Sequence, residues 1–278
     1  MTTVPIRPFL KWPGGKYRLI KKLLQALPPG KILIEPFVGA GSVFLNTDYP
    51  KYLLNDINPD LIHLLSFLKR EGSSFIQEAH KFFTPQNNTS EKYYTLRQCF
   101  NQSQDPFERA LLFLYLNRHG YNGLCRYNLK GLYNVPFGCY KNPYFPETEM
   151  LAFHKKARKA QFISETFHQT FKRITKLSTI KECVIYCDPP YAPLSDTAFF
   201  TQYAPQAFPL SYQNQLAQVA QEAANAGAMV FISNHDTQFT RSLYSNAQII
   251  SFTAQRIISC DPKNRKPVKE LIACYGPL

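Results

Sequence analysis

Acidic side chains are scarce in this chain. Its 278 residues hold 19 Asp and Glu against 32 Lys and Arg, a formal net charge of +13 at neutral pH. That imbalance points to a polyanionic partner or an anionic surface, although ordinary solubility charge gives the same composition. No apolar run reaches the roughly 20 residues that a membrane-spanning helix needs, and no leader-like segment is visible. The expectation is a soluble cytoplasmic protein without a membrane partner. The seven cysteines are odd in number and lack CxxC or Cys/His ligand spacing, which argues against a disulfide framework and a metal site and for reduced thiols. Low-complexity tracts and internal repeats are also missing. What remains is a globular composition, 45% apolar and 14% aromatic, long enough to bury a substantial core. We expect one sheet domain that carries a large insertion.

The stretch Val184 to Tyr191 stands out. An apolar, β-prone run ends on Asp188, Pro189, Pro190 and Tyr191, which predicts a rigid polar turn at the carboxyl end of a strand. Open parallel α/β sheets place their ligand chemistry at that edge. A rigid strand-to-loop corner is the purely structural alternative.

Other segments fit the same architecture. Phe9 to Lys16 combines a tight turn with Trp12, Lys11 and Lys16, and by itself reads equally as an entry to the helix through Ile20, Leu23, Leu24 and Leu27. Ile32 to Glu35 predicts a first strand, followed by Pro36, Phe37, Val38, Gly39, Ala40 and Gly41. Glycines after a first strand allow a ligand close to the backbone, as in nucleotide-binding βαβ units. Tyr52 to Leu54 predicts a second strand ending near Asp56. An acid there can accept both hydroxyls of a ribose, or can serve as an Asx-type cap for the helix through Leu61, Leu64, Leu65 and Leu68. Later strands are expected at Ala160 to Ser164, Cys183 to Cys187 and Met229 to Ser233, the last with Asn234, His235 and Asp236 at its carboxyl end. Helices are expected over Phe167 to Leu177 and Tyr212 to Ala226, and an antiparallel pair over Ile249 to Phe252 and Leu271 to Tyr275, flanking a basic loop from Arg256 to Lys269.

Between about residues 60 and 150 the pattern turns helical. Residues 90–145 hold seven basic and three acidic side chains interleaved with thirteen aromatics. Leu111 to Asn117 reads as a buried helix, and Leu129 to Gly138 as a hairpin turning near Lys130 and Gly131. Arginines reach phosphates and guanine edges, asparagines bind phosphates or adenine, and exposed aromatics wedge between or stack on bases. Any single tyrosine or phenylalanine here is more often core; the cluster as a whole favours nucleic acid.

The segment Asn117-Arg118-His119-Gly120-Tyr121-Asn122-Gly123-Leu124-Cys125-Arg126-Tyr127-Asn128, taken with Asp188 to Tyr191, resembles the DNA adenine-N6 methyltransferases of the Dam type. The likeness extends through Phe9 to Lys16, Glu35 to Asn46, Asn117 to Gly138, Asp188 to Ser195 and Ser233 to Thr237. It implies a Rossmann-like α/β methyltransferase sheet, formed by residues 1–59 and 151–278, with a mostly helical target-recognition insertion at 60–150 that carries a β-hairpin. It implies S-adenosylmethionine as methyl donor and adenine in GATC of double-stranded DNA as target, in a monomer without metal, associated with the nucleoid through DNA. By the same likeness Asp188, Pro189, Pro190 and Tyr191 are catalytic. Trp12, Lys16, Phe37, Gly39, Gly41, Asp56 and Asp188 would hold the cofactor. Lys11, Tyr121, Leu124, Arg126 and Pro136 would read or wedge bases, and Arg97, Arg118, Asn122, Asn128 and Asn134 would hold phosphates. Cys139 departs from the pattern, standing where the family carries an arginine. The alternatives are a catalytically silent DNA-binding regulator, or a methyltransferase acting on RNA or on protein glutamine. The intact Asp188 to Tyr191 and glycine loop speak against the first. A glutamine enzyme would carry Asn at 188, and an RNA enzyme would not need the GATC-reading segment.

Overall fold

A computed structural model describes residues 4–194, 208–254 and 267–276. Ser195, most of the loop expected over Ala192 to Pro209 and most of the basic loop from Arg256 to Lys269 lie outside them. The strands are β1 (Ile32–Glu35), β2 (Lys51–Asn55), β3 (Ala160–Ile163), β4 (Cys183–Cys187), β5 (Met229–His235), β6 (Gln248–Ala254) and β7 (Val268–Tyr275). The α-helices among the described residues are α1 (Ile20–Ala26), α2 (Ser42–Asn46), α3 (Pro59–Glu71), α4 (Ser73–His80), α5 (Ser90–Gln102), α6 (Pro106–His119), α7 (Glu147–Ala157), α8 (Phe167–Ile174), α9 (Leu210–Asn225) and α10 (Gln238–Leu243). Two compact units result, one from residues 1–24, 38–48 and 56–164, the other from 25–37, 49–55 and 165–278. The class is mixed α/β, as the alternating pattern predicts.

In the second unit, strands run in the order β2-β1-β4-β5-β7-β6. The pairs β1–β2, β1–β4 and β4–β5 are parallel, while β5–β7 and β7–β6 are antiparallel. The parallel strands are almost wholly apolar because both of their faces are covered, and β4 is buried at every position. Strand order reverses between β1 and β4, so a crevice is expected beyond their carboxyl ends, where doubly wound sheets bind ligands. Phe37 follows β1 and Asp188 follows β4. Helix α9 buries Gln213, Leu216, Ala217, Ala220, Ala223 and Ala224. The stripe is turned slightly from the expected one: Val219 is only half-buried, Ala217 replaces it, and a glutamine stands at its head.

The first unit is built on α3 and α6. Helix α6 is longer than the apolar run suggests because Asp105 accepts the Phe107 amide and Pro106 fills the first turn. It buries an unbroken stretch from Ala110 to Asn117, and each fully buried leucine or phenylalanine contributes about 1.5–3 kcal/mol. Beyond α6 the chain makes the expected hairpin, with a turn at Asn128 to Gly131. Its arms are held by single bridges, Tyr127 to Tyr133 and Gly120 to Phe137, so the first arm reaches back well before Leu129. The thirteen aromatics of residues 90–145 divide: Tyr93, Phe100, Phe113, Tyr115 and Tyr133 are buried, Phe107, Tyr127, Phe137, Tyr140 and Phe145 half-buried, and Tyr94, Tyr121 and Tyr144 exposed. Among the described residues, no helix is long and apolar enough to cross a membrane.

Candidate active site

The turn expected to be catalytic, Asp188 to Tyr191, lies in the second unit. Asp188 is half-buried and Pro189 buried, while Pro190 is exposed. The half-buried Tyr191 donates its hydroxyl to Glu270 Oε2 at 3.0 Å. Its ring meets the His235 ring edge-on, with centroids 4.8 Å apart. Burial, reinforced by the Asp188 charge, drives the phenols of Tyr191 and Tyr186 well above their usual range, so both stay neutral. The Cys187 thiol is raised for the same reasons. Phe37, on the neighbouring strand end, packs against Phe167 and Phe208, with centroids 5.6 and 5.7 Å away.

Behind the turn lies a buried amide network. Asn234 Oδ1 accepts the backbone N–H of Ala192 and of His235, each at 2.9 Å. Its Nδ2 donates to Gln213 Oε1 at 3.1 Å and to Tyr244 Oη at 3.0 Å. Gln213 Nε2 then donates to the Pro190 carbonyl at 2.8 Å. The sequence reading noticed Asn234 only as the end of a strand and missed Gln213 and Glu270. A glutamine in an Ala/Gln-rich helix carries no signal of burial, and Glu270 meets Tyr191 across 79 positions.

The glycine loop and Asp56 come together in the first unit. Gly39, with φ of 50°, donates its amide to Asp56 Oδ2 at 3.1 Å. A Cβ on Gly39 would stand 2.8 Å from Trp12 Nε1, so the indole lies where a side chain would be. Gly41, with φ of 73°, opens α2 in the left-handed conformation. Asp56 Oδ1 accepts the Asn58 amide at 3.0 Å. Burial raises the Asp56 carboxyl above the ordinary aspartate range, and the amides of Asn58, Gly39 and Ile57 pull it back. The α3 cap is Asn58, whose Oδ1 accepts the amides of Asp60 and Leu61; the cap role considered for Asp56 belongs to its neighbour two residues on. Trp12 to Gly15 forms a tight turn with Pro13 second and Gly14, at φ of 74°, third. The buried Lys16 donates to the Gly14 carbonyl at 2.8 Å.

The hairpin gathers most of the expected DNA residues. Tyr121 is 50% exposed and donates its amide to the Pro136 carbonyl at 2.9 Å, so these two surface residues face across the hairpin base. Arg126 is exposed and its Nε donates to Asn134 Oδ1 at 2.7 Å. Asn128 Oδ1 accepts the amides of Lys130 and Leu132, which closes the turn. Leu124 is half-buried, its carbonyl held by the Tyr133 hydroxyl. Asn122, exposed with φ of 52°, donates its amide to the Tyr140 hydroxyl. Lys11 packs so tightly on Gly123 that a Cβ there would overlap its own Cβ. Its ammonium sits 3.8 Å from the Tyr140 ring centroid, and burial with the Arg118 charge lowers its pKa to about 8. Arg97 is half-buried and donates to the Val135 carbonyl. Arg118 donates to the carbonyls of Tyr144 and Phe9, so its guanidinium ties loops together. Cys139 is exposed, with φ of 52°.

An acid that composition did not single out anchors this hairpin. Asp60, buried at 5% exposure, takes a two-pronged Arg109 contact at 2.9 and 3.0 Å and the Tyr127 hydroxyl at 2.6 Å. Arg109, counted with the basic cluster in the sequence, is therefore internal. Asn58 Nδ2 reaches Cys125 Sγ at 3.3 Å. Burial pushes the Cys125 thiol up to about 12, so it remains protonated and is no nucleophile. Among the described residues, no cluster of His, Cys, Asp or Glu could hold a metal ion.

Residues 12–258 match the D12 class N6 adenine-specific DNA methyltransferase family. The chain belongs to that family. A D12 class enzyme of this kind methylates adenine N6 in DNA and requires a methyl donor. The chain is 53% identical over 272 residues to the DNA adenine methylase of Vibrio cholerae serotype O1, covering 98% of this chain and 96% of that protein. Identity to the DNA adenine methylase of Escherichia coli K12 is 51% over 271 residues, with the same coverage. The Serratia marcescens DNA adenine methylase is 50% identical over 270 residues, covering 97% of this chain and 98% of that protein. These relatives match over nearly the whole chain, so the Asp188 to Tyr191 turn, the glycine loop and the hairpin all fall within the shared region.

Proposed function

We propose that this D12 class enzyme takes its methyl group from S-adenosylmethionine and places it on the adenine of GATC in double-stranded DNA, after flipping the base out of the duplex. The glycine loop fits a nucleoside: Gly39 has no space for a side chain, and the Asp56 carboxylate is fixed by two amides. In this reading Asp56 holds the ribose, Trp12, Lys16, Phe37 and Gly41 border the cofactor, and Asp188 stands between cofactor and base. When bound, the cofactor supplies an electrophilic methyl group for direct in-line transfer.

The chain's own residues solve the problem on the nucleic acid side. The adenine amino nitrogen is a weak nucleophile because its lone pair is delocalised into the ring. The Asp188 carboxylate and the Pro189 carbonyl accept its two N–H bonds, which localises the pair and aims it. Prior removal of a proton is not required, since the proton can leave during or after transfer. Tyr191 stacks on the flipped base. Lys11, Tyr121, Leu124, Arg126 and Pro136 read or wedge the site, while Arg97, Arg118, Asn122, Asn128 and Asn134 serve the phosphates. In functional terms residues 1–59 and 151–278 are catalytic and 60–150 recognise the target.

The observation that carries this reading is the rigid Asp188 to Tyr191 turn at the end of buried β4, in a chain whose family methylates adenine N6. The test is incubation with labelled S-adenosylmethionine and duplexes that contain GATC or single-base variants of it. Label should enter GATC alone and vanish with Asp188→Ala, while that variant still binds duplex. Equal labelling of the variant duplexes would remove the GATC assignment, and full turnover by Asp188→Ala would remove the carboxylate from the mechanism.

A further inference from the structure

Gln213 and Asn234 are both fully buried, at 0% exposure, in a unit whose core is mostly apolar but also holds Glu35, Asn55, Thr170, Ser233 and Thr240. Burying an amide is unfavourable unless its hydrogen bonds are met. A leucine at 213 would simply continue the Leu216, Ala217, Ala220 stripe of α9. Packing alone therefore gives no reason for a glutamine there.

The bonding polarity supplies one. Asn234 Oδ1 accepts two backbone N–H groups, those of Ala192 and His235. An NH2 group could satisfy neither, so the orientation of this amide is fixed by its partners. Its NH2 must then face Gln213 Oε1 and the Tyr244 hydroxyl. That in turn leaves Gln213 Nε2 aimed at the Pro190 carbonyl. The relay pins the main chain on both sides of Tyr191, at Pro190 and at Ala192. Two further contacts fix the ring itself: its hydroxyl donates to Glu270, and its edge meets His235, whose Nδ1 lies 2.7 Å from the Ala192 carbonyl.

We infer that Gln213 and Asn234 are positioning residues for methyl transfer, holding the Pro189 carbonyl and the Tyr191 ring in the geometry that receives the adenine amino group. The inference rests on the reading of Asp188 to Tyr191 given above. Neither side chain touches substrate. They act through the peptide bonds of the turn, and the low-polarity surroundings make each link stiff.

The test compares Gln213→Leu, Gln213→Glu and Asp188→Ala in single-turnover methylation of a GATC duplex. Duplex affinity and thermal midpoint are measured on the same samples. Gln213→Leu should keep duplex affinity within about twofold and stay folded, yet transfer about 10–100-fold more slowly, the effect of a displacement of an ångström or less at a reacting group. In Gln213→Glu the carboxylate faces the Pro190 carbonyl and cannot donate. Protonation restores a donor, so its rate relative to wild type should rise as pH is lowered from about 8 to about 6, the range in which a buried glutamate titrates. A Gln213→Leu enzyme that transfers at the wild-type rate overturns the inference, as does a Gln213→Glu ratio independent of pH. If Gln213→Leu fails to fold, the Gln213→Glu profile decides alone. The reading beneath is judged separately: an active Asp188→Ala removes that reading, whereas an inactive Asp188→Ala beside a fully active Gln213→Leu removes only the relay.

Discussion

A single methyl group placed on Gly39 tests the proposed nucleoside cradle. At φ of 50° an alanine adopts the left-handed conformation, which costs about 1–2 kcal/mol. Its Cβ would also stand 2.8 Å from Trp12 Nε1 and 3.0 Å from Cδ1, and overpacking of that kind costs about 1–3 kcal/mol. The sum for Gly39→Ala is about 2–5 kcal/mol, a large fraction of the ~5–15 kcal/mol that holds a typical domain together. The indole is only half-buried and has room to yield, which favours the lower half of the range. The same shift moves the amide that holds Asp56, so affinity for S-adenosylmethionine should fall along with stability. Urea denaturation of wild type, Gly39→Ala, Trp12→Ala and the double variant separates the two costs, since removing the indole abolishes the overlap but leaves the backbone penalty. Calorimetric titration of the cofactor supplies the second readout. A stability loss below about 0.5 kcal/mol, the size of an ordinary surface change, would refute the cradle geometry. An equal loss with and without Trp12 would refute the overlap.

Three other outcomes are expected. Tyr127→Phe removes a hydrogen bond to the buried Asp60 carboxylate and should cost about 1.5–3 kcal/mol in urea denaturation; the Asn128 and Asn134 amides should exchange faster with solvent, and unchanged exchange would count against the anchor. Arg126→Ala should relax discrimination at one base position by about 1–3 kcal/mol in competition binding, whereas uniform weakening on all sequences would reassign this arginine to phosphate. Lys11 titrates near 8 when folded, against 10.5 for a free lysine. The unfolded chain therefore binds this proton more tightly, and the Lys11 contribution to stability rises with pH between those values. Duplex affinity should move the opposite way, falling as pH passes 8 and the ammonium charge is lost; Lys11→Arg should flatten that profile, and an unaltered profile would show that another group is responsible.

The strand that delivers Asp188 was legible because its signal is local: a buried apolar run followed by an acid and two prolines has few other conformations. The parallel order of the first strands followed from the alternation of apolar runs with helical segments. What failed to show were roles decided by distant partners. The cap of α3 considered for Asp56 falls to Asn58, because the Asp56 carboxylate is engaged by the Gly39 amide, 17 positions away, and by the Asn58 amide. Arg109 looked like part of a nucleic acid surface until Asp60, 49 positions away, claimed it. The aromatics divide as expected of them singly: α5 and α6 bury Tyr93, Phe100 and Tyr115, while the hairpin exposes Tyr121. Gln213 was hidden for the opposite reason: a polar residue in an apolar stripe looks like an interruption, not a connection.

The anchoring of the hairpin on Asp60 and Asn58 limits how target preference can be exchanged between relatives. A hairpin proposed to read DNA is an obvious cassette to transplant, but here Tyr127 and Cys125 dock on side chains of the very segment that begins with Asp56. A grafted loop without a matching hydroxyl would leave the Asp60 carboxylate with Arg109 alone, and one with a bulkier group at 125 would press on the cap of α3. New specificities should therefore be inherited as sets, with positions 58, 60, 109, 125 and 127 travelling together, and libraries that vary the hairpin while holding Tyr127 constant should yield far more folded variants than those that do not.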